Sequence, residues 1–440
     1  MSAIALALAQ MGHNVSAVDL RERQVLDRLR AAGVHVHIGH QRSHVVGCDA
    51  VTSSTAVPSD LNELDEARKL GIPTLSRAEM LAAICAQARS IAVAGTHGKT
   101  TSSSMLMLIL AEAGLRPSFV IGGDVNDMGT GAQWTSGEWF VVEADESDAT
   151  HLELPLYGTI LTNIDLDHVD LYGDMAGIED AFDRYLAQIP GPKVVSIDDP
   201  WSRRVAARHD TITFGLSEGA DVRAVDLTPH DGTFSFRIRR GDEIVAAVHL
   251  PLRGHHNVAN ATGAFAMAME IGVAPEVAAR ALANFGGVAR RFDVRGIDDG
   301  ATFVDDYAHI PGEIDAVLRA ARDSGDDWQR IIAVFQPNRY NRMAQIWREY
   351  ADCFEVADVV VLTDIYSSGT TPIPGVTGKL VVNAVLDEHP DKHVVWLPRR
   401  DELVAYLAKH VRRGDVCLSM GCGDIATLPD EVLAARRGTG

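Results

Sequence analysis

Apolar residues in this chain come as short strand-like runs separated by stretches with helical spacing, and the alternation continues from end to end. Residues 1–20 predict a helix, a turn at Gly12 and a strand over Val15–Asp19. Gln24–Ala32 reads as helix, Val34–Ile38 and Ala50–Ser53 as strands, and Leu61–Leu70 as helix. A second series opens with the apolar run Ile91–Ala94. An apolar helical stretch, Met105–Leu115, follows, and then strands over Trp139–Val142, Thr159–Thr162, Lys193–Ile197 and Thr211–Phe214. Between Asp221 and Leu252 the pattern becomes strict alternation, as in Thr233-Phe-Ser-Phe-Arg-Ile-Arg, which predicts an antiparallel patch. An amphipathic helix over Val258–Ile271 closes this series. The third runs through strands at Thr302–Asp305, Ile331–Phe335, Asp358–Thr363 and Val416–Met420, with helices at Gly312–Ala321 and Met343–Phe354. Strands that alternate with helices predict parallel sheets, so the fold class is α/β, in three domains: 1–88, 89–291 and 292–440.

Composition narrows the function classes. A chain of 440 residues exceeds what one core holds, and 46% hydrophobic with 23% charged residues is ordinary for a globular protein. A net charge of −20 argues against nucleic-acid binding, which needs a basic stripe over the phosphates. The five cysteines form no C-x-x-C pair, which suits a reducing, cytoplasmic setting and gives no metal signature. Met1–Ala9 is apolar but lacks a basic leader, so it reads as a helix rather than a signal peptide. No run reaches the ~18 apolar residues of a membrane span, so no membrane insertion is expected. The expected state is a monomer or homodimer acting on small molecules.

The chemistry concentrates where strands end. After Ile91–Ala94 comes Gly95-Thr96-His97-Gly98-Lys99-Thr100-Thr101, a glycine-bounded turn that opens a helix. Unpaired N–H groups and the positive end of the helix dipole make such a turn an anion cradle. Gly95 and Gly98 let the backbone approach a phosphate, Lys99 reaches the terminal phosphates, and Thr100 can offer its hydroxyl to Mg²⁺. Only Thr96 and His97 separate the glycines, where the usual phosphate loop has four residues. Two acidic clusters follow apolar strands: Glu143-Ala-Asp145-Glu146-Ser-Asp148, and Asn163-Ile-Asp165-Leu-Asp167-His168-Val-Asp170. They supply oxygen and nitrogen ligands of the kind divalent metals take. Further on stand His256-Asn257-Val-Ala-Asn260, where Asn257 also reads as a helix cap, and Arg290-Arg291-Phe292.

Gly-Thr-His-Gly-Lys-Thr-Thr, Glu-Ala-Asp-Glu-Ser-Asp, Thr-Asn-Ile-x-x-Asp-His, His-Asn-x-x-Asn, Arg-Arg-Phe and Asp-Asp-Tyr-Ala-His occur in that order. Together they resemble the Mur ligases, over nearly the whole chain. The resemblance implies a Rossmann-like N-terminal domain for a UDP-sugar, a central P-loop ATPase-type domain and a Rossmann-like C-terminal domain for an amino acid. It implies an ATP- and Mg²⁺-dependent ligase that joins the carboxylate of UDP-N-acetylmuramate to L-alanine through an acyl phosphate, in peptidoglycan precursor synthesis. A ligase adding a ready-made peptide to the same sugar nucleotide stays open, as does a catalytically weak nucleotide-binding relative. By the same resemblance Lys99 binds the γ-phosphate, and Thr100, Glu143 and His168 ligate Mg²⁺. Asn257 and Asn260 sit at the adenine, with Arg291 and Asp306 reaching the nucleotide. Tyr307, His309, Asn338, Arg339 and Arg342 line the amino-acid site, and Gly122, Gly123 and Asn126 belong to the loop for the sugar end.

Three departures from the family pattern stand out. The chain starts after the family's first strand and Gly-rich loop, which suggests a clipped N-terminus. Ile310 replaces the second histidine of Asp-Asp-Tyr-x-His-His-Pro, and Asn338 replaces the histidine of Gln-Pro-His-Arg-Tyr. Two imidazoles are lost there, which puts the identity of the added amino acid in question. No lysine follows His168 closely enough to carry a carbamate, which leaves Asp183 or water to take that place.

Overall fold

The computed structural model describes residues 1–54, 57–58, 60–167, 169–324 and 328–438, with Gln24, Val169 and Asp170 as backbone only. Its contacts divide into two units. One holds Met1–Leu227, Ser235–Pro251 and Asn257–Gly286; the other holds Thr228–Phe234, Leu252–His256 and Gly287–Gly440.

In the first unit β1 (Ser16–Asp19) and β2 (His35–Ile38) pair in parallel, Ser16 opposite His35. A second parallel pair joins β3 (Val51–Ser53) and β4 (Thr74–Ser76). The parallel α/β pattern of the first 88 residues is therefore present, but as two separate sheets. Helices Ser2–Gln10 and Gln24–Ala31 flank the first pair, and Leu26, Leu29 and Val34 form its small core.

The large sheet of this unit has ten strands among the described residues. They are β5 (Arg89–Ala94), β6 (Ser118–Val125), β7 (Thr130–Gln133), β8 (Trp139–Glu143), β9 (Gly158–Leu161), β10 (Lys193–Ser196), β11 (Ile212–Gly215), β12 (Val222–His230), β13 (Thr233–Arg240) and β14 (Glu243–Leu250). Their order is β14-β13-β12-β11-β10-β9-β5-β8-β6-β7. Two-residue turns join β12 to β13 and β13 to β14, which only antiparallel neighbours permit, so the alternating segment is the antiparallel patch expected of it. β5 is parallel to β8 on one side and β9 on the other, and Ser90–Ala94 are all buried. Strands buried on both faces read as unbroken apolar runs, which is why Ile91–Ala94 was visible. From β8 the chain crosses to β9 on the far side of β5, so the strand order reverses there, and ligands of open α/β sheets sit outside the strand ends at such a point.

Two helices differ from the pattern. The helix after β5 runs Lys99–Glu112, starting at the loop. Its polar first turns, Thr100 to Ser104, are buried, with Ser104 Oγ donating to Thr100 O at 2.7 Å, so packing overrides weak helix propensity. The stretch expected as helix to Phe354 is an α-helix only over Tyr340–Ile346, then a 3₁₀ turn over Trp347–Tyr350. Buried Tyr350 stacks on Phe335 with centroids 5.4 Å apart and donates from its hydroxyl to His309 O at 2.9 Å, anchoring that tighter turn.

The second unit carries β15 (Asp293–Asp298), β16 (Ala301–Asp306), β17 (Arg330–Phe335), β18 (Val359–Leu362), β19 (Val394–Trp396) and β20 (Asp415–Met420). They lie in the order β15-β16-β20-β17-β18-β19, all parallel except the antiparallel edge strand β15. One face is covered around Ile314, Leu318, Phe335 and Phe354, the other around Phe303, Leu403 and Leu407. At the start of β20 the buried Asp415 carboxylate accepts from Arg330 Nε at 2.8 Å, Arg330 Nη2 at 2.6 Å and Arg412 N at 2.7 Å. Removing the guanidinium strands a buried charge. Arg330→Leu is expected to lower unfolding stability by about 3 kcal/mol, read by thermal unfolding, and adding Asp415→Asn should return part of that loss.

Candidate active site

Gly95 and Gly98 have φ of +119° and +79°, left-handed values that L side chains avoid. A Cβ at Gly95 would run into Thr162 Oγ1, and one at Gly98 into Asn260 Oδ1. The two glycines thus allow both the sharp turn out of β5 and the close approach of its neighbours. The loop backbone is held by the segment after β9. Asn163 O accepts from Thr96 N at 3.2 Å, Asn163 Oδ1 from His97 N at 2.8 Å, and Asn163 Nδ2 donates to His97 O at 3.0 Å. Thr162 Oγ1 donates to His97 O at 2.6 Å, Asp165 N donates to Thr96 Oγ1 at 2.9 Å, and His97 Nε2 meets Asp165 Oδ2 at 3.0 Å. Gly98 caps the following helix without a side-chain hydrogen bond, so no side chain covers the positive end of the helix dipole at the cap.

Lys99 folds back over this loop. Its ammonium donates to Gly95 O at 2.5 Å, to Thr96 O at 3.0 Å, and to both Glu146 oxygens at 2.9 Å. Burial pulls the Lys99 pKa down, but Glu146, Asp145 and Glu143 more than reverse this, so it stands above the ordinary lysine value. Glu146 is 5% exposed, and burial pushes its carboxyl up to about 7 against the pull of Lys99. Thr100 and Thr101 are buried just beyond, in the first helical turn.

The acidic cluster after β8 divides its work. Asp145 and Asp148 receive Arg77 Nη1 at 3.4 and 3.2 Å. Asp145 also accepts from Ser147 N, and Asp148 from Thr150 N. Glu143 accepts from Gly122 N at 2.7 Å, with Gly122 and Gly123 inside β6. The segment Ile121–Thr130 is thus mostly strand and turn, not an open loop. Asn126 Nδ2 donates to Gly286 O at 2.8 Å. Among the described residues no three His, Cys, Asp or Glu side chains could hold a metal ion. His168, expected as a ligand, lies outside the described residues. Asp183 is engaged by His209 at 3.1 Å and Arg208 at 3.5 Å.

Asn260 stands against Gly98 and donates to Asn257 Oδ1 at 3.3 Å; the helix begins at His255, so Asn257 does not cap it.

In the second unit Tyr307 has Arg290 and Arg291 guanidinium carbons 5.1 and 5.2 Å from its ring centre, and His309 5.3 Å away edge-on. Arg290 is fixed by Asp305 Oδ2 at 2.9 Å and Gly421 O at 2.7 Å. Both Asp306 oxygens accept backbone N–H groups, from Phe292 and Ala308, each at 2.7 Å, and burial raises its pKa to about 6. His309 Nδ1 lies 3.1 Å from Glu313 Oε2. Arg342, 8% exposed, donates to Asn338 Oδ1 at 3.4 Å. Arg339 has φ +61°, held by its N–H on Tyr366 O at 2.9 Å. Ile310 is buried at 3% exposure, directly ahead of Pro311. Sequence reasoning missed Glu146 as the Lys99 partner and Asn163 as the loop's clamp, although both stood in the recognised strings.

Comparison with known proteins bears on all of this. The "Mur ligase family, catalytic domain" profile matches residues 1–89, the "Mur ligase middle domain" 93–268, and the "Mur ligase, glutamate ligase domain" 290–423. The chain is 40% identical over 449 residues to the UDP-N-acetylmuramate–L-alanine ligase of Bradyrhizobium diazoefficiens, covering 99% of this chain and 96% of that one. It is 42% identical over 438 residues to the like-named protein of Rubrobacter xylanophilus, at 99% and 97% coverage. Its fold matches the UDP-N-acetylmuramate-alanine ligase of Thermotoga maritima with a TM-score of 0.84 at 24% identity, over 100% and 97% of the two chains.

A buried histidine beneath the acidic cluster gives a pH prediction. His151 is 1% exposed between Phe182 and Tyr185, its backbone N–H donates to Asp145 O, and burial drives its imidazole pKa from 6.5 to about 4. The folded state holds it neutral, so its contribution is full above pH 6.5 and is lost as pH falls toward 4, about 3 kcal/mol in all. Thermal unfolding from pH 8 to 4 should show His151→Phe losing less stability on the acid side than the parent.

Proposed function

The chain belongs to the Mur ligase family, and on that premise we propose how its residues carry out the family's reaction. The protein is an ATP-dependent ligase that joins the carboxylate of UDP-N-acetylmuramate to L-alanine through an acyl phosphate, in peptidoglycan precursor synthesis. The observation that carries the site assignment is Lys99, half-buried at the mouth of the loop between left-handed glycines and paired with Glu146 just after β8. That arrangement fits a polyphosphate: backbone N–H groups, a helix N-terminus and one ammonium converge on one point. Bound ATP supplies the phosphoryl group that activates the sugar carboxylate. Lys99 offsets the charge that builds on the transferring group, and the loop fixes its line of approach.

Thr100, Glu143 and His168 are the Mg²⁺ ligands in this reading. Glu146 lies on Lys99, Asp145 and Asp148 lie on Arg77, and Glu143, the last residue of β8, accepts from Gly122 N at 2.7 Å and adds to the negative charge facing Lys99. Asn257 and Asn260 serve the adenine, with Arg291 and Asp306 on the nucleotide. Gly122, Gly123 and Asn126 serve the sugar end. Tyr307, His309, Asn338, Arg339 and Arg342 receive the amino acid, the arginines taking its carboxylate. The domains are 1–88 for the UDP-sugar, 89–291 for ATP and 292–440 for the amino acid, in a cytoplasmic enzyme.

Phosphate release from ATP, with UDP-N-acetylmuramate and L-alanine both present, tests the reading. Lys99→Ala should lose at least ~10²-fold in kcat. Release that persists in this variant would show that Lys99 does not touch the transferring phosphoryl group. A panel of glycine, serine and short peptides checks the acceptor, with L-alanine expected to give the highest kcat/KM.

A further inference from the structure

We propose that Glu146 is a positioning residue for Lys99: it holds the ammonium back over the loop and gives way when a polyphosphate arrives. The inference rests on the reading of this loop as the ATP phosphate site. An ammonium has three protons, and here Gly95 O, Thr96 O and the Glu146 carboxylate take all three. A phosphate can therefore gain Lys99 only by displacing one of them. The two carbonyls belong to a loop fixed by Asn163 and Thr162, so they stay. The carboxylate belongs to a side chain rather than to the loop backbone and carries the same sign of charge as the incoming group, so it is the partner that gives way.

The backbone around Glu146 supports a side-chain movement rather than a loop movement. Tyr172 Oη donates to Glu146 O at 2.5 Å. Asp145, on one side, is held by Arg77 and Ser147 N, and Asp148, on the other, by Arg77 and Thr150 N. The turn is thus pinned at both ends, so a displacement of the Glu146 carboxylate is a change of its side chain and not of the loop. Without nucleotide the pair keeps a buried ammonium neutralised, which an empty cradle would not. On binding, one anion replaces another on Lys99 while the bonds to Gly95 O and Thr96 O are kept, so the ammonium is never left without a counter-charge.

The test is calorimetric binding of inorganic tripolyphosphate to the full chain in EDTA, so that no metal contributes. Glu146→Gln removes the competing charge and should tighten binding about tenfold. The KM for ATP should fall by a similar factor, while that for L-alanine stays put. Glu146→Asp, which keeps the charge but withdraws it by one methylene, should tighten binding by about threefold, and it decides the matter if Glu146→Gln does not fold by circular dichroism. Unchanged or weaker tripolyphosphate binding in these variants overturns the proposal. So does an equal gain from Asp148→Asn, which would reduce the effect to general charge. Lys99→Ala separates the two levels: if it leaves tripolyphosphate binding unaltered, the phosphate-site reading itself fails.

Discussion

The two left-handed glycines at positions 95 and 98 constrain everything around them. With β5 enclosed by β8 and β9, the chain can leave the sheet only at the strand's end, and it must then enter a helix within four residues. Only residues without a Cβ make that turn while Thr162, Asn163 and Asn260 press against it. Lys99 is consequently the first helical residue, and its side chain has one way to go, back across Gly95 and Thr96. The loop is shorter than a standard phosphate loop by two residues. The segment after β9 makes up for this, since Asn163 supplies hydrogen bonds that a longer loop makes within itself.

Charge is managed locally rather than globally. A net charge of −20 opposes any polyanion, yet the cradle needs only one ammonium and a few N–H groups in a dry place, where each counts for more. In sequence the cluster at the end of β8 reads as a run of carboxylates of the kind divalent metals take, with nothing in the spacing to tell their partners apart. Folding assigns Glu146 to Lys99, gives Asp145 and Asp148 to Arg77, and sets Glu143 against Gly122, so the four carboxylates hold distinct positions. In the second unit the same logic applies to Asp305 and Asp306. Neighbours in sequence on β16, one holds the Arg290 guanidinium and the other caps two backbone N–H groups.

What was legible in the sequence follows from which residues have few alternatives. A buried parallel strand must be an unbroken apolar run, and a turn with φ above zero calls for glycine, so β5 and its loop could be read directly. The order of motifs then carried the family. Partners were not legible, because which carboxylate meets Lys99 depends on how β5 and β8 stand side by side, at a separation of 47 residues in the chain. The glycine-bounded turn reads as opening a helix, but the apolar pattern itself begins only at Met105, because Thr-Thr-Ser-Ser-Ser is a poor helix former whose first turns are helical through burial, with Ser104 Oγ bonded to Thr100 O. The first 88 residues show the converse. Three of their strands were placed to within a residue, but the three-residue β4 (Thr74–Ser76) was not read at all, and that the strands pair as two separate sheets is a matter of which strand neighbours which, which periodicity does not encode.

The two replaced histidines near the amino-acid residues differ in weight once the structure is considered. Ile310 is buried and precedes Pro311 at the start of a helix, so an apolar side chain there gains packing and gives up a polar group facing away from water. Asn338 is buried too, but its amide oxygen receives Arg342, and its backbone is bridged to Tyr366 next to the strained Arg339. A histidine in that position could take or give up a proton near neutral pH, whereas the asparagine amide only accepts and donates hydrogen bonds. Of the two positions, Asn338 is the one whose side chain meets a residue proposed for the amino acid, Arg342. Ile310 acts on that site only through the packing of the helix it introduces.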